Sequence, residues 1–191
     1  MSRAALRDGQ EAAVIDVGSN SVRLVVYRID GRAMTPILNE KVMAGLGRDL
    51  SRTGALSKEG VEHAFRALKR FSTLIEAAGV RSVFAVGTAA VRDASDGRAF
   101  AERMQAEIGI PLRILDGADE ARLSALGVSA GVADAKGVVG DLGGASLELV
   151  RLTGDGPVEG ATLALGPFAL AGVRPDKLRD EIAGRLAPHA P

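Results

Sequence analysis

Two short segments of the chain share one design, and they constrain its fold more than any other feature. The first reads AVIDVGSNS at residues 13–21, and the second reads VVGDLGGAS at residues 138–146. In each segment an apolar strand leads into an Asp, a turn containing Gly follows, and a Ser precedes another apolar run. This order predicts a strand-turn-strand hairpin at each place.

Each predicted turn carries groups that bind a phosphate. Glycine lets the backbone fold tightly so that several N–H groups point at one spot, and Ser hydroxyls add further donors. Two such turns, about 120 residues apart, predict two half-sites that close on one polyanion. Asp16 and Asp141 are then available for a metal ion or a water molecule. The predicted phosphate-binding residues are Gly18, Ser19, Asn20 and Ser21 in the first turn and Gly143, Gly144, Ala145 and Ser146 in the second.

The composition is that of an ordinary globular protein, with 47% hydrophobic and 25% charged residues among 191. Because Lys plus Arg and Asp plus Glu both number 24, the charge gives no general affinity for nucleic acids or membranes. The absence of Cys excludes disulfides, thiol catalysis and Cys-ligated zinc, and two isolated His residues disfavour a His-based metal site. A hard cation bound by carboxylates remains open.

The sequence also bears on location. Residues 1–11 mix charged and polar side chains without an apolar core, which is not the pattern of a signal peptide. No apolar run approaches the roughly 18 to 20 residues that a membrane helix needs. We therefore expect a cytoplasmic protein with no membrane and no nucleic-acid partner. The many Ala, Gly and Arg residues and the 3% of aromatic residues resemble a high-GC bacterial coding bias.

Apolar periodicity predicts an alternation of strands and helices. The first half contains strands at 12–16, 21–29 and 34–42, a helix from 57 to 78, a strand at 82–86, a helix at 97–108 and a strand at 112–115. The second half contains a helix at 118–128, strands at 137–142, 147–153 and 159–165, and a helix at 177–186. We expect Ser57 to cap the first long helix and Gly79 to end it.

The order of these elements predicts an α/β protein of two lobes. A unit of three strands and a helix opens the chain, and the same three-strand opening returns in the second half. We place the first lobe, with the first phosphate turn, at residues 1–125. The second lobe, at residues 126–191, holds the second turn but lacks the later strand and helices of the first, and we expect it to be truncated.

Four ordered motifs carry a resemblance to a known family. They are DVGSNS at 16–21, GTAAVR at 87–92, DEARL at 119–123, and the Asp141 turn with Glu148. Over roughly residues 12–170 the chain resembles the exopolyphosphatase and guanosine pentaphosphate phosphatase family of the actin-like and sugar-kinase superfamily. The resemblance implies a ribonuclease-H-like (actin-like ATPase) fold, a mixed sheet with flanking helices, and one full lobe facing a partial second lobe across a cleft.

The resemblance also implies roles for individual residues. Glu120 corresponds to the family's catalytic base, and Arg92 corresponds to an arginine that faces the phosphate chain. Asp141 and Glu148 are similar to groups that position a metal and a water, and Asp16 can share the magnesium ion with Asp141. The implied reaction is Mg²⁺-assisted hydrolysis of a terminal phosphoanhydride, which requires positioning, charge neutralisation and an in-line water.

Two features depart from the family pattern. The second turn has Ala145 where the family normally has a third glycine, and a positive φ there would cost roughly 1 to 2 kcal/mol. The second lobe is short, so we expect the chain to be a fragment or a reduced relative. We expect an incomplete lobe to expose apolar surface that favours a homodimer.

Three functions follow from these observations. The first is a phosphohydrolase acting on inorganic polyphosphate, on guanosine pentaphosphate, or on both. The second is a non-catalytic or truncated relative that binds polyphosphate. The third is a sugar-kinase-type or acetate-kinase-type phosphotransferase, which should also have an adenosine-binding segment, and none is visible in the sequence.

A further glycine-rich stretch, GLGRDL at residues 45–50, invites a nucleotide-loop interpretation. Such loops join a strand to a helix, and no such context surrounds this stretch. We predict instead a connection that contributes to the surface of the cleft.

Overall fold

The computed structural model describes residues 9–31 and 33–189. Strands and helices alternate along these residues much as the apolar pattern predicts. The strands are β1 Glu11–Val17, β2 Ser21–Asp30, β3 Ala33–Met43, β4 Ser82–Gly87, β5 Leu112–Ile114, β6 Gly137–Leu142, β7 Leu147–Thr153 and β8 Gly156–Leu163. The α-helices are α1 Leu50–Thr53, α2 Lys58–Ala77, α3 Ala89–Asp93, α4 Gly97–Ile108, α5 Gly117–Gly131 and α6 Leu178–Leu186. Short 3-10 helices cover Pro175–Lys177 and Ala187–His189.

The first sheet has five strands in the order β3-β2-β1-β4-β5. β1 and β2 form an antiparallel hairpin, β3 continues it, and β4 and β5 run parallel to β1. Three antiparallel strands followed by two parallel ones through helical crossovers make the ribonuclease-H-like order, so the fold expected from the resemblance is confirmed.

Helix α2 covers one face of this sheet. Its buried positions recur at three and four residues, which gives one apolar stripe facing the strands. Phe65 meets Phe100 of α4 edge to face with ring centroids 5.1 Å apart, and the Arg103 guanidinium stacks on the Phe65 ring at 3.9 Å. The core beneath these helices includes Ile15, Val17, Val22, Leu24, Leu68, Phe71, Val91 and Met104.

The start of α2 differs in detail from the prediction. Ser57 occupies the N-cap position, but its hydroxyl does not accept a bond from the first turn. Its backbone N–H donates to the Leu46 carbonyl at 2.9 Å, and the Arg52 guanidinium, aided by the Ser57 hydroxyl, lowers the pKa of Asp49. Ser57 therefore ties the helix to the preceding loop.

The second sheet is a three-stranded antiparallel meander in the order β6-β7-β8. Helix α5 packs on it through Ala121 and Ala125, which meet Val150 of β7 and Val139 of β6. The helix begins at Asp116, whose carboxylate accepts the N–H of Asp119 at 2.7 Å. The lobe boundary predicted after residue 125 falls inside α5, and it stays a prediction.

The two hairpins of the sequence repeat pair in the same register. Asp16 lies opposite Arg23 in β1–β2, and Asp141 lies opposite Glu148 in β6–β7. Each Asp sits two residues before the turn glycine in its hairpin. The repeat in sequence is thus a repeat in structure.

Several element boundaries differ from the predictions. The one-turn helices α1 and α3 were not predicted, because four or five residues show no periodicity. Helix α5 ends at Gly131 rather than at 128. Strand β8 covers 156–163 rather than 159–165, because Pro157 pairs with Leu152 on the edge of the sheet, where a missing N–H is tolerated.

Gly97 allows α4 to approach α3 closely. A Cβ on Gly97 would lie 1.8 Å from the Val91 carbonyl oxygen, so G97A must displace backbone. We expect a loss of about 1 to 3 kcal/mol in the free energy of unfolding, measured by urea denaturation. The control is G127A, because Gly127 lies in α5 with no atom near its Cβ position. Equal stability of the two variants would contradict the close approach.

Candidate active site

The first turn is held from behind by the segment that follows β3. Gly18 N–H donates to the Ser21 carbonyl at 3.0 Å and closes the turn. The N–H groups of Ala44 and Gly45 both donate to the Asn20 carbonyl at 2.9 Å, and Gly47 N–H donates to Ser19 at 2.8 Å. Because the C=O and N–H of a trans peptide point in opposite directions, the following N–H groups point away from this support.

The second turn is built in the same way. Its Gly143 N–H donates to the Ser146 carbonyl at 2.9 Å. The segment after β8 supplies the support, since Gly166 N–H donates to the Ala145 carbonyl at 3.0 Å and Phe168 N–H to Gly144 at 2.9 Å. Both turns therefore have two carbonyls tied down by the chain that follows a third strand.

Ala145 carries no backbone strain. Among the described residues other than glycine, only Asp134 has a positive φ, at 53°. The strain considered for an alanine at this position is therefore absent, and Ala145 adopts the backbone that the turn requires.

The two turns touch each other. A Cβ added to Gly144 would lie 3.1 Å from the Ser19 Cβ and 3.2 Å from the Asn20 backbone nitrogen. On the other side of Ser19, a Cβ on Gly47 would lie 3.1 Å from the same Ser19 Cβ. A larger residue at either position would displace Ser19 or its neighbours by a few tenths of an ångström.

One cavity of about 1080 Å³ joins the two turns. The structure brings nearly all the predicted site residues to its wall. These are Asp16, Gly18, Ser19, Asn20, Ser21, Glu120, Asp141, Gly143, Gly144, Ser146 and Glu148. Ala145 and Arg92 do not line the cavity, and both lie directly behind residues that do.

Desolvation, and to a smaller extent mutual repulsion, disfavours ionisation of the carboxyl groups in the cavity. Desolvation by the surrounding protein raises the pKa of Asp16 to about 6, although the residue is open to the cavity. The negative charges of Glu120 and Asp141 add to this rise. Burial raises the pKa of Glu148 to about 7, with the same two carboxylates adding to the effect. The Glu148 side chain is 2% exposed, and its Oε1 has no hydrogen bond within the described residues.

Glu120 lies in the first turn of α5, as predicted. Its Oε2 accepts a hydrogen bond from Arg92 Nη1 at 2.7 Å. Burial raises the pKa of Glu120, and the adjacent Arg92 guanidinium partly opposes that rise. Arg92 also donates to the Asp93 carboxylate at 3.0 Å and to the Leu115 carbonyl at 3.4 Å.

The donor set of the cavity fits a hard cation. Asp16, Asp141 and Glu148 present carboxylate oxygens to one space, and the Glu148 oxygen without a partner is a free ligand. Within residues 9–31 and 33–189, no three acidic or His side chains are grouped closely enough to enclose a metal by themselves. A cation here would take its remaining ligands from water and from phosphate oxygens, as Mg²⁺ commonly does.

Sequence reasoning assigned no role to four polar cavity residues, namely Lys41, Thr88, Arg113 and Ser124. The Ser124 hydroxyl donates to the Asp141 carboxylate, and Ser124 stands one helical turn after Glu120, a spacing that could have revealed it. Lys41 depends on strand register, because it pairs with Arg23, which in turn pairs with Asp16. No local signal specifies that register before the sheet is known.

Most of the chain matches a known protein family in sequence. A sequence model of the Ppx/GppA phosphatase family matches residues 25–173. The chain belongs to this family.

Solved structures agree with the assignment. The Ppx/GppA family member of Aquifex aeolicus is 27% identical with a TM-score of 0.80, and the match covers 95% of this chain and 63% of that one. An exopolyphosphatase-like protein is 26% identical with a TM-score of 0.86, covering 96% and 61%. An exopolyphosphatase from Cytophaga hutchinsonii shares the fold at 24% identity and a TM-score of 0.82, covering 94% and 62%. The chain thus spans about three fifths of the length of these relatives.

Among the described residues, no helix combines the length and apolar character needed to cross a membrane.

The raised pKa of Glu148 predicts a pH-dependent stability. Between its ordinary pKa of 4.5 and the raised pKa of about 7, the Glu148 carboxyl group holds a proton in the folded state that it has lost in the unfolded state. The free energy of unfolding therefore falls as the pH rises through this window. E148Q removes this dependence, and its stability relative to wild type should increase by about 1 to 3 kcal/mol between pH 5 and pH 8.

Chemical denaturation of E148Q at both pH values measures this change. The matched control is E76Q, because Glu76 is an exposed residue of α2. A constant difference between E148Q and wild type across the window would show that Glu148 ionises normally.

Proposed function

We propose that this chain carries the catalytic cleft of a phosphohydrolase that releases terminal phosphate from inorganic polyphosphate, guanosine pentaphosphate, or both. One observation carries the proposal: two turns of the same construction meet at one cavity, with Glu120 on its wall. Membership of a phosphatase family supports it.

The terminal phosphate would bind between the two turns. The backbone N–H groups of each turn and the Ser19, Ser21 and Ser146 hydroxyls would donate to it, since these residues line the cavity. Because the turns are in contact through Gly144, a single phosphate can receive bonds from both. The Lys41 ammonium, which also lines the cavity, adds a positive charge for the phosphates that follow.

Asp16, Asp141 and Glu148 would hold the magnesium ion together with phosphate oxygens and water. When bound, Mg²⁺ neutralises charge on the phosphate and favours the departure of the shortened chain. Two of these carboxyl groups, Asp16 and Glu148, have pKa values raised to about 6 and about 7. They must lose their protons to become ligands, so we propose that magnesium binding strengthens as the pH rises through this range.

Glu120 would act as the general base. It accepts a proton from a water molecule whose oxygen attacks the terminal phosphorus in line, while the phosphoanhydride oxygen on the far side leaves with the rest of the chain. A base works best when its pKa lies near the working pH, and burial raises the pKa of Glu120 in that direction. Ser124 and Asp141 also line the cavity, and the Ser124 hydroxyl donates a hydrogen bond to the Asp141 carboxylate.

The substitution E120Q tests the role of the base. We expect phosphate release to fall by on the order of 10² to 10⁴, because the amide cannot accept the proton. Binding of tripolyphosphate should change little, since the turns are intact. The measurement is Mg²⁺-dependent phosphate release from polyphosphate and from guanosine pentaphosphate, with E76Q as the control.

The outcomes of this assay separate the three functions. Release that depends on Mg²⁺ and on Glu120 supports the hydrolase. Binding of polyphosphate without hydrolysis favours a binding relative, and transfer of phosphate from ATP to a small acceptor favours a kinase-type enzyme. Full activity of E120Q would rule out Glu120 as the base.

The contact between the turns gives a second test. The added Cβ in G144A lies in tight contact with Ser19 and Asn20, so it should move the two turns apart by a few tenths of an ångström. We expect tripolyphosphate to bind about tenfold more weakly, measured by calorimetry. The control is A145G, which alters the neighbouring position of the same turn without adding an atom. Equal affinity of G144A and wild type would contradict a phosphate site shared by the turns.

A further inference from the structure

Arg92 lies behind the cavity wall rather than on it. It belongs to the last turn of the short helix α3, and its side chain is 21% exposed. Its guanidinium has three partners within 3.4 Å, namely the Glu120 carboxylate, the Asp93 carboxylate and the Leu115 carbonyl. Glu120 lines the cavity and Arg92 does not.

We propose that Arg92 is a positioning residue that holds Glu120 in its catalytic orientation and makes no direct contact with the phosphate chain. The proposal rests on the proposed function, in which Glu120 is the base. It differs from the role that the family resemblance implies for Arg92.

The hydrogen bonds of Glu120 give the first support. Arg92 holds the Oε2 atom at 2.7 Å, in a pair whose side chains are 21% and 13% exposed. No hydrogen bond to Oε1 is formed within the described residues. One oxygen is therefore anchored, and the other is available to a water molecule in the cavity.

The packing of α3 gives the second support. Ala90 and Val91 are fully buried, and Gly97 brings α4 against the Val91 carbonyl. A Cβ on Gly47, which holds the first phosphate turn, would lie 3.4 Å from the Ala90 Cβ. The helix that carries Arg92 is thus packed against the segment that supports the first turn. The same packed unit therefore positions both the proposed base and the first phosphate turn.

The charges around Glu120 give the third support. Asp93 on α3 and Asp141 on β6 both disfavour its ionised form, and Asp16 on β1 and Glu148 on β7 also interact with it. Arg92 is the cation that opposes them. Removing this charge should therefore raise the pKa of Glu120 and leave less of the ionised base near neutral pH.

The variants R92A and R92K test the proposal. For R92A we expect kcat to fall by on the order of tenfold or more, with the acid limb of its pH profile moved to higher pH. The dissociation constant for tripolyphosphate should stay within about twofold of wild type. R92K retains the charge without the planar fork, so it should restore the acid limb more fully than kcat. The control is R98A, because Arg98 is 89% exposed on α4.

A contact with phosphate predicts a different result. R92A would then weaken tripolyphosphate binding by about tenfold or more and leave the acid limb in place. That combination, in variants whose circular dichroism matches wild type, overturns the proposal.

A titration without turnover separates this proposal from the proposed function. Carbon-13 NMR of the side-chain carboxyl groups, assigned with E120Q, follows Glu120 in wild type and in R92A. A higher midpoint in R92A supports the proposal, and an unchanged midpoint overturns it. If wild type released no phosphate, the proposed function would fail while this comparison still decided the role of Arg92.

Discussion

The backbone hydrogen bonds behind the two turns are the constraint on which the rest of the site depends. In both halves of the chain, two turn carbonyls accept N–H groups from a segment that follows a third strand. The turns cannot rotate without breaking these bonds, so their remaining N–H groups keep one direction. The glycines at 47 and 166 serve this support, since a Cβ on Gly166 would lie 2.4 Å from the Ala145 nitrogen.

The carboxyl groups around these fixed turns destabilise the folded chain. Four carboxyl groups, Asp16, Glu120, Asp141 and Glu148, face one cavity, and the pKa values of three of them are raised. Such a cluster lowers the stability of the fold at neutral pH. Proteins commonly retain clusters of this kind where a reaction or a cation needs them, which agrees with the phosphatase family of this chain.

Much of this arrangement could be predicted from local sequence. Both hairpins, the long helix α2 and the position of Glu120 in the first turn of α5 follow from alternation and periodicity. Other features depend on contacts between distant segments. The GLGRDL stretch was expected to add cleft surface, but its role as the support of the first turn needs the hydrogen bonds to Ser19 and Asn20.

The pairing of individual side chains around the cavity could not be predicted from the sequence. The ion pair between Arg92 and Glu120 joins residues 28 apart, and no spacing rule connects them. Lys41 reaches the cavity only because β3 pairs with β2 in one register. Local rules specify which elements form, and the packing of those elements specifies which side chains meet.

The matched registers of the two hairpins have one more consequence. The residue opposite the hairpin aspartate is Arg23 in the first copy and Glu148 in the second. In the first sheet, Arg23 and Lys41 follow Asp16 in the same row, so this row carries one carboxylate and two cations, whereas Asp141 and Glu148 of the second sheet are both carboxylates. The same hairpin geometry therefore carries rows of opposite net charge, positive in the first sheet and negative in the second.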